Sequence, residues 1–318
     1  MFGRIAVSAV LIPLILLLIL KGELSLFLAV LGIIVIGMFE FYRMVEAKGI
    51  KIYRKMGITT GILIPITYYI AQHSIYYRNE KFSYIIFTIA VIIFITRQVI
   101  SGKISEALLS ISFTFFGVIY VSFLLSHIIF MKDINYMTYL NPMDVGNSLY
   151  NGRYWILTSF FMVWASDSAA YFVGMAIGKH KLAPKISPKK SIEGAVAGLI
   201  APVIVMFMAK YYMFFQDSNI ATIHIIIIGL IAGVFGQIGD LGESLFKREF
   251  EIKDSGKILL GHGGILDRFD SMLFVLPLVY YYLKFMVITN IFEIGYKSLL
   301  KIWENFSVEI LSTFGMMK

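Results

Sequence analysis

The sequence predicts an all-α protein, a polytopic transmembrane helical bundle of about nine spanning helices plus a C-terminal amphipathic segment. Its 318 residues are 58% hydrophobic and only 15% charged, where soluble domains carry charge on about 25% of residues. Mean hydropathy is +0.80. The apolar residues gather in blocks such as Ile5–Leu20, Ile62–Ile70, Ile85–Ile95 and Ile223–Val234. A helix surrounded by lipid is apolar on every side, so blocks rather than amphipathic stripes are the expected pattern.

A spanning helix needs roughly 20 mainly apolar residues. That length places spans at about 4–20, 24–41, 57–72, 82–96, 107–131, 154–177, 195–215, 221–241 and 271–290. The first follows Arg4 and resembles a signal peptide. It runs into Lys21-Gly22-Glu23 and a second apolar run with no small-residue cleavage motif, so it reads as a retained helix. These first two spans are short and closely joined, which suits a tilted hairpin; the fourth is short as well. Residues 1–150 then form the N-terminal transmembrane helices, and 151–290 the catalytic helices and their cytoplasmic loops. In the tail, 291–318, Phe292, Leu299, Ile302, Trp303 and Phe306 stand among charges, as in a helix lying on a membrane surface.

Nine spans put alternate connections on opposite faces, and the charges sort accordingly. One face receives Arg4, the cations from Arg43 to Lys55, Arg97 and Lys103, then those of 179–190 and of 247–268, in all 18 of the 28 Lys and Arg. Cytoplasmic connections are enriched in Lys and Arg, so this is the cytoplasmic face of an integral membrane protein, in the inner or plasma membrane if the source is bacterial. The net charge of +8 falls in connections between apolar blocks. It points to anionic lipid or phosphate-bearing substrates and not to nucleic acid. The absence of cysteine excludes disulfides, thiolate zinc sites and a cysteine nucleophile. Paired tyrosines near span ends, such as Tyr68-Tyr69 and Tyr280-Tyr281, read as interfacial anchors. His73, His127 and His224 show no ligand spacing and read as packing or surface residues.

Chemistry concentrates between about Asp240 and Asp270. Gly233, Gly236, Gly239 and Gly242 leave one strip of the eighth span without side chains, so that a neighbour can approach. If that helix continues, Gln237, Asp240, Ser244, Lys247 and Arg248 share an arc of roughly 100° at the membrane boundary. Further on, Lys253 and Asp254 precede His262-Gly263-Gly264, whose glycines let backbone amides approach an anion. His262 can donate to phosphate or shuttle a proton. Asp267 and Asp270 lie one turn apart at the mouth of an apolar helix, flanking Arg268. Carboxylates there are costly unless a cation joins them, and clustered oxygen ligands suit Mg²⁺ or a similar ion rather than zinc. The plainer alternative is an Asp-Arg-Asp helix cap. Asp167, inside the sixth span, is a candidate polar partner. The basic stretch after it, with Ser187, Lys189, Lys190 and Ser191, can hold phosphate, or it can be a topogenic signal alone.

The run Ser244-x-Phe246-Lys247-Arg248, Lys253-Asp254-x-Gly256, His262-Gly263-Gly264-x-x-Asp267-Arg268-x-Asp270 resembles the signature of the phosphatidate cytidylyltransferases, the CDP-diacylglycerol synthases. Upstream support comes from Ala165-Ser-Asp167-x-x-Ala170-Tyr171 and from Lys179-x-Lys181-Leu182-Ala183-Pro184-x-Ile186-Ser187-Pro188-x-Lys190-Ser191. The resemblance covers about 155–290; the first 150 residues match only as hydrophobic helices. Departures stand at Leu260, where the family usually has Pro, Gly or Ser, at Ser191 in place of Thr, and at Ile192 in place of Trp. None removes an acid or a cation.

The resemblance implies a reaction of CTP with phosphatidic acid, giving CDP-diacylglycerol and pyrophosphate, with Mg²⁺ and a second cation left open. It implies metal binding by Asp240, Asp267 and Asp270, and phosphate binding by Ser244, Lys247, Arg248 and Arg268 near His262, Gly263 and Gly264. The 187–191 segment becomes a candidate CTP-phosphate loop, membrane lipids are partners, and a homodimer is implied by the family. Two alternatives remain: a CTP-dependent lipid or polyprenol kinase, and an ion-coupled transporter using Asp167 and Asp240.

Overall fold

The structure is a computed structural model that describes residues 13–21, 23–72, 81–102, 104–132, 134, 151–216, 218, 220–256 and 263–288. Over the described residues, each of the nine predicted spans falls on a helix. These are α1 (13–21), α2 (Glu23–Ala47), α3 (Arg54–Gln72), α4 (Lys81–Ser101), α5 (Ala107–Lys132), α6 (Gly152–Ile177), α7 (Ile192–Met213), α8 (Thr222–Glu249) and α9 (Leu266–Val287). Seven of them, α2 and α4 to α9, are long and apolar enough to cross a membrane. The amphipathic tail, His73 and His262 lie outside the described residues.

The outer faces are those of a lipid-embedded bundle. On α4, Ile85, Ile89, Ile92, Ile93, Ile95 and Val99 are all exposed, which water would penalise and hydrocarbon does not. Inside, α6 packs along α7, α7 along α8 and α8 along α9. The N-terminal helices join this group mainly where α9 meets the last part of α5. An aromatic cluster seals that junction: Phe116 stacks on Tyr120, and Phe246 of α8 meets both edge-on at 5.6 and 5.3 Å.

The glycines of α8 do what their spacing predicts, but on two sides. A Cβ on Gly233 would meet Leu199 of α7 at 2.9 Å, and one on Gly239 would meet the Asp270 carbonyl of α9 at 2.6 Å. Gly242 has open space. Close approach at Gly239 is what sets α9, and with it Asp270, against α8.

One element differs from expectation. The basic connection after α6 is not a plain loop but an antiparallel hairpin, β1 (Lys181–Ala183) with β2 (Ser187–Ser191), in which Lys181 pairs with Ser191 and Ala183 with Ser187. Pro184 and Pro188 deny the segment a helix, and extended pairing satisfies its backbone instead.

Candidate active site

The basic connections predicted to share a face meet at one end of the bundle. Lys48, after α2, pairs with Glu251, after α8, at 2.6 Å. Arg248 Nε donates to the Ile186 carbonyl of the hairpin turn at 3.1 Å. Lys190 of β2 reaches Asp240 of α8 at 2.6 Å. The other end carries its own tie, Arg153 to the Leu20 carbonyl.

Because α8 continues to Glu249, its polar face extends past the apolar block, as the spacing requires. Asp240 Oδ1 lies 3.4 Å from Ser244 Oγ, one turn on. Gln237 donates to the Ala195 carbonyl of α7 at 3.0 Å and so locks α7 to α8 just beneath Asp240. Lys247 projects to α9, where its ammonium sits between Glu243 at 2.9 Å and Asp267 at 2.7 Å. Asp167, Asp240 and Asp270 lie within electrostatic range of one another, and Glu243 within range of Asp270. Asp167 is exposed on α6. The helices α6, α8 and α9 bring these acids together, in a position where lipid alone would be costly; the region they share is termed the cleft.

The structure separates the two acids of the signature. Asp270 Oδ1 accepts from the Ser271 amide at 2.7 Å. Asp267 is fully occupied. Its Oδ1 takes Lys247, and its Oδ2 accepts from Ser255 N at 3.0 Å, Ser255 Oγ at 2.9 Å and Gly264 N at 2.7 Å. The bond from Gly264, three residues back, is a helix-capping contact. In this structure Asp267 serves the cap and Lys247, beside the neighbouring acids Asp167, Asp240 and Asp270. Gly263 adopts φ +81°, and a Cβ there would crowd Asp267 at 2.5 Å, so the glycine pair serves the cap geometry.

The remaining predicted residues divide similarly. Ser191 caps α7, accepting from Gly194 N at 3.2 Å, and is wedged against Gly174 and Gly178 of α6. Lys190 is at the cleft, while Lys189, Lys253, Asp254 and Arg268 are exposed. Ser187 opens β2 on the same hairpin.

Three participants were missed by sequence reasoning. Glu243 is wholly buried beside Lys247; its place one turn before Lys247 was the available signal. Tyr120 reaches electrostatic range of Asp240, Glu243 and Asp270 from α5, and nothing in its apolar block marks it. Glu40 of α2, only 2% exposed, accepts from Ile265 N at 3.1 Å and Leu266 N at 2.9 Å. An acid at the end of the second span, among apolar residues, was the available signal.

The profile of the Cytidylyltransferase family matches residues 2–286. The chain belongs to that family. Among curated relatives, the phosphatidate cytidylyltransferase of Staphylococcus saprophyticus is 49% identical over 128 residues, 40% of this chain and 48% of the relative. That of Staphylococcus haemolyticus is 46% identical over 129 residues, covering 41% and 48%. That of Bacillus subtilis is 42% identical over 141 residues, covering 44% and 51%. The chain thus spans about half the length of the curated relatives it matches.

Family membership raises the matter of a divalent cation, and the site can be tested for it. Among the described residues no group of three or more His, Asp or Glu is already arranged as metal ligands. Charge gives the opposite indication. Five carboxylates, Asp167, Asp240, Glu243, Asp267 and Asp270, gather here. Two cations, Lys190 and Lys247, pair with them directly. Hard oxygen donors with excess negative charge fit a hard cation, and Asp240 and Asp270 are the pair with capacity for it.

Proposed function

We propose that the protein transfers a cytidylyl group from CTP to phosphatidic acid, yielding CDP-diacylglycerol and pyrophosphate, at the cytoplasmic end of the bundle. The observation that carries this reading is the gathering of acids and cations where α6, α8, α9 and the hairpin meet. Asp240 and Asp270, on two helices held together at Gly239, face the exposed acid of α6 beside a lysine-bearing hairpin.

In this reading a phosphate oxygen of the lipid attacks the α-phosphorus of CTP. A new P–O bond forms, the bond between the α-phosphorus and the bridging oxygen breaks, and pyrophosphate carries away the electron pair. Such a transfer is mainly alignment and charge neutralisation. Asp240 and Asp270 would hold a divalent cation, which supplies neutralisation of the triphosphate when bound. Lys190 would exchange its contact with Asp240 for the nucleotide phosphates, with Lys189, Ser187, Arg248 and Arg268 at the rim. Asp267 would fix Lys247 and the first turn of α9. The cleft lies at the end of apolar helices with exposed Tyr171, Phe172 and Met175 on α6, a surface suited to the acyl chains of a substrate that stays in the bilayer.

The test is transfer of label by the purified protein with phosphatidic acid, with and without EDTA. Label from α-³²P-CTP in chloroform-soluble product, abolished by EDTA, supports the reading. Label entering lipid only from the γ-phosphate would assign a lipid kinase instead.

A further inference from the structure

The signature residues all lie after residue 150, yet one side chain of the N-terminal helices touches the chemical end of the molecule. Glu40 lies on α2, and its neighbours Met38, Phe41, Tyr42 and Met44 are packed in the core. Its carboxylate receives Ile265 N on Oε1, and Leu266 N and Ser255 Oγ on Oε2, the last at 3.3 Å. A buried carboxylate costs several kcal/mol unless it is fully ligated, so three convergent donors are a built arrangement and not a chance contact. The fit is tight. A Cβ on Gly256 or on Gly264 would collide with the Glu40 carboxylate, so glycine is required on both sides of it.

Two of those donors are amides at the start of α9, which have no partner within the helix. An anion placed there is also favoured by the helix dipole. The third donor, Ser255, bonds Asp267 as well, and Asp267 holds Lys247. Both ends of the connection between α8 and α9 therefore converge on one acid from another part of the chain. Asp270 sits one turn beyond that anchored start.

We propose that Glu40 is a positioning residue for the transfer site: held by the rigid core of α2, it fixes the first turn of α9 and so sets where Asp270 and Lys247 stand. The role rests on the cytidylyl-transfer reading for its kinetic consequence, and on the hydrogen bonds alone for its structural one. Small displacements of reacting groups cost about 100-fold in rate. In Glu40→Gln the side chain keeps its size but turns an amide N–H₂ toward an N–H donor.

The experiment compares full-length wild type and Glu40→Gln in detergent, by labelled-CTP kinetics and by amide hydrogen exchange. The expected result is a fall in kcat of about 100-fold with KM for CTP changed by less than about threefold, since ground-state binding is spared. Exchange should accelerate at Ile265 and Leu266 while the amides of α6 to α8 keep their protection. A variant with wild-type kcat overturns the proposal whatever its exchange. If Glu40→Gln unfolds throughout, Ser255→Ala decides, because it removes the bridge without touching the buried acid. A local exchange change with a kcat loss supports positioning; wild-type kcat in Ser255→Ala overturns it. Should wild type transfer no cytidylyl group, the functional reading fails, and the exchange arm alone upholds or overturns the clamp.

Discussion

In the first five helices, hydroxyl groups turn back repeatedly onto their own helix: Thr59 to the Lys55 carbonyl, Thr67 to Leu63, Thr88 to Tyr84 and Ser126 to Ser122. From α6 onward, polar groups cross between elements. Ser166 bonds the Gly198 carbonyl, Gln237 the Ala195 carbonyl, Lys190 pairs with Asp240 and Lys247 with Asp267. A hydroxyl bonded within its own helix is satisfied at any depth in lipid and specifies no neighbour. A polar group bonded across helices costs energy when its partner is absent, and so specifies position. The first half is held mainly by packing, while the second is held in addition by a charge network that doubles as the site. The first half shares this habit at Glu40, at Tyr42, whose hydroxyl bonds the Thr114 carbonyl at 2.6 Å, and at Ser122, whose hydroxyl bonds the Gly61 carbonyl at 2.6 Å.

The sharpest way to break this contrast is to remove an acid that the second half holds for chemistry alone. Asp270→Asn should lower turnover by about 10³-fold while the protein remains folded and inserted, because one backbone amide is its described bond. Wild-type-like, Mg²⁺-dependent transfer by this variant in the labelled-CTP assay would refute the role given to Asp270.

Next in size is the Lys247 junction. Removing one member of a buried ionic group leaves the others uncompensated, at about 3–5 kcal/mol, and Lys247 serves both Glu243 and Asp267. Lys247→Met should lower the unfolding midpoint in detergent accordingly, and adding Glu243→Gln should restore part of the loss. Thr88→Val, on the lipid-facing α4, should stay within about 0.5 kcal/mol of wild type. Equal effects at the two positions would erase the distinction between the halves.

Much of this arrangement can be read from residues alone, for identifiable reasons. Apolar block length finds every described helix, because lipid makes hydrophobicity non-periodic and therefore conspicuous. Glycine spacing foretells the approach of α9 to α8, but not that Gly242 faces open space, since a periodic strip does not say how many neighbours share it. The hairpin from Lys181 to Ser191 was hidden by its lysines, whose charge drew attention from the prolines. The contacts of Asp267 were hidden for a related reason. A metal ligand and a helix cap both require a carboxylate at a helix start, and only the positions of Ser255, Gly264 and Lys247 distinguish them. Glu40 was unreadable as a partner because its donors lie more than two hundred residues away, and two of them are backbone amides that any residue supplies.

A smaller effect comes from the glycines of α8. Gly239→Ala must push a Cβ into the backbone of α9, where neither partner can yield cheaply, and overpacking of that kind costs about 1–3 kcal/mol. Gly242→Ala meets nothing and should stay within about 0.5 kcal/mol, with a slight helix-propensity gain. Thermal unfolding of the two variants side by side separates contact from composition.

The smallest effect belongs to the surface tie between the halves. Lys48 holds the Glu251 carboxyl below its usual value of about 4.5, through a hydrogen bond and its charge. A carboxyl with a lowered value in the folded state contributes stability above its unfolded value, and loses that contribution as pH falls through the folded one. Because both side chains are substantially exposed, water and salt screen most of the attraction. Glu251→Gln should therefore match wild type once pH has fallen through the lowered folded value, and fall only marginally behind it at neutral pH. That margin should vanish in high salt. Glu251 also sits at φ +56°, a backbone state that glycine adopts without strain, so Glu251→Gly trades the ion pair for relief of the backbone. If Glu251→Gly unfolds at a higher temperature than Glu251→Gln at neutral pH, the tie matters less than the turn it sits on. The halves are then joined by Glu40 and the aromatic seal rather than by surface charge.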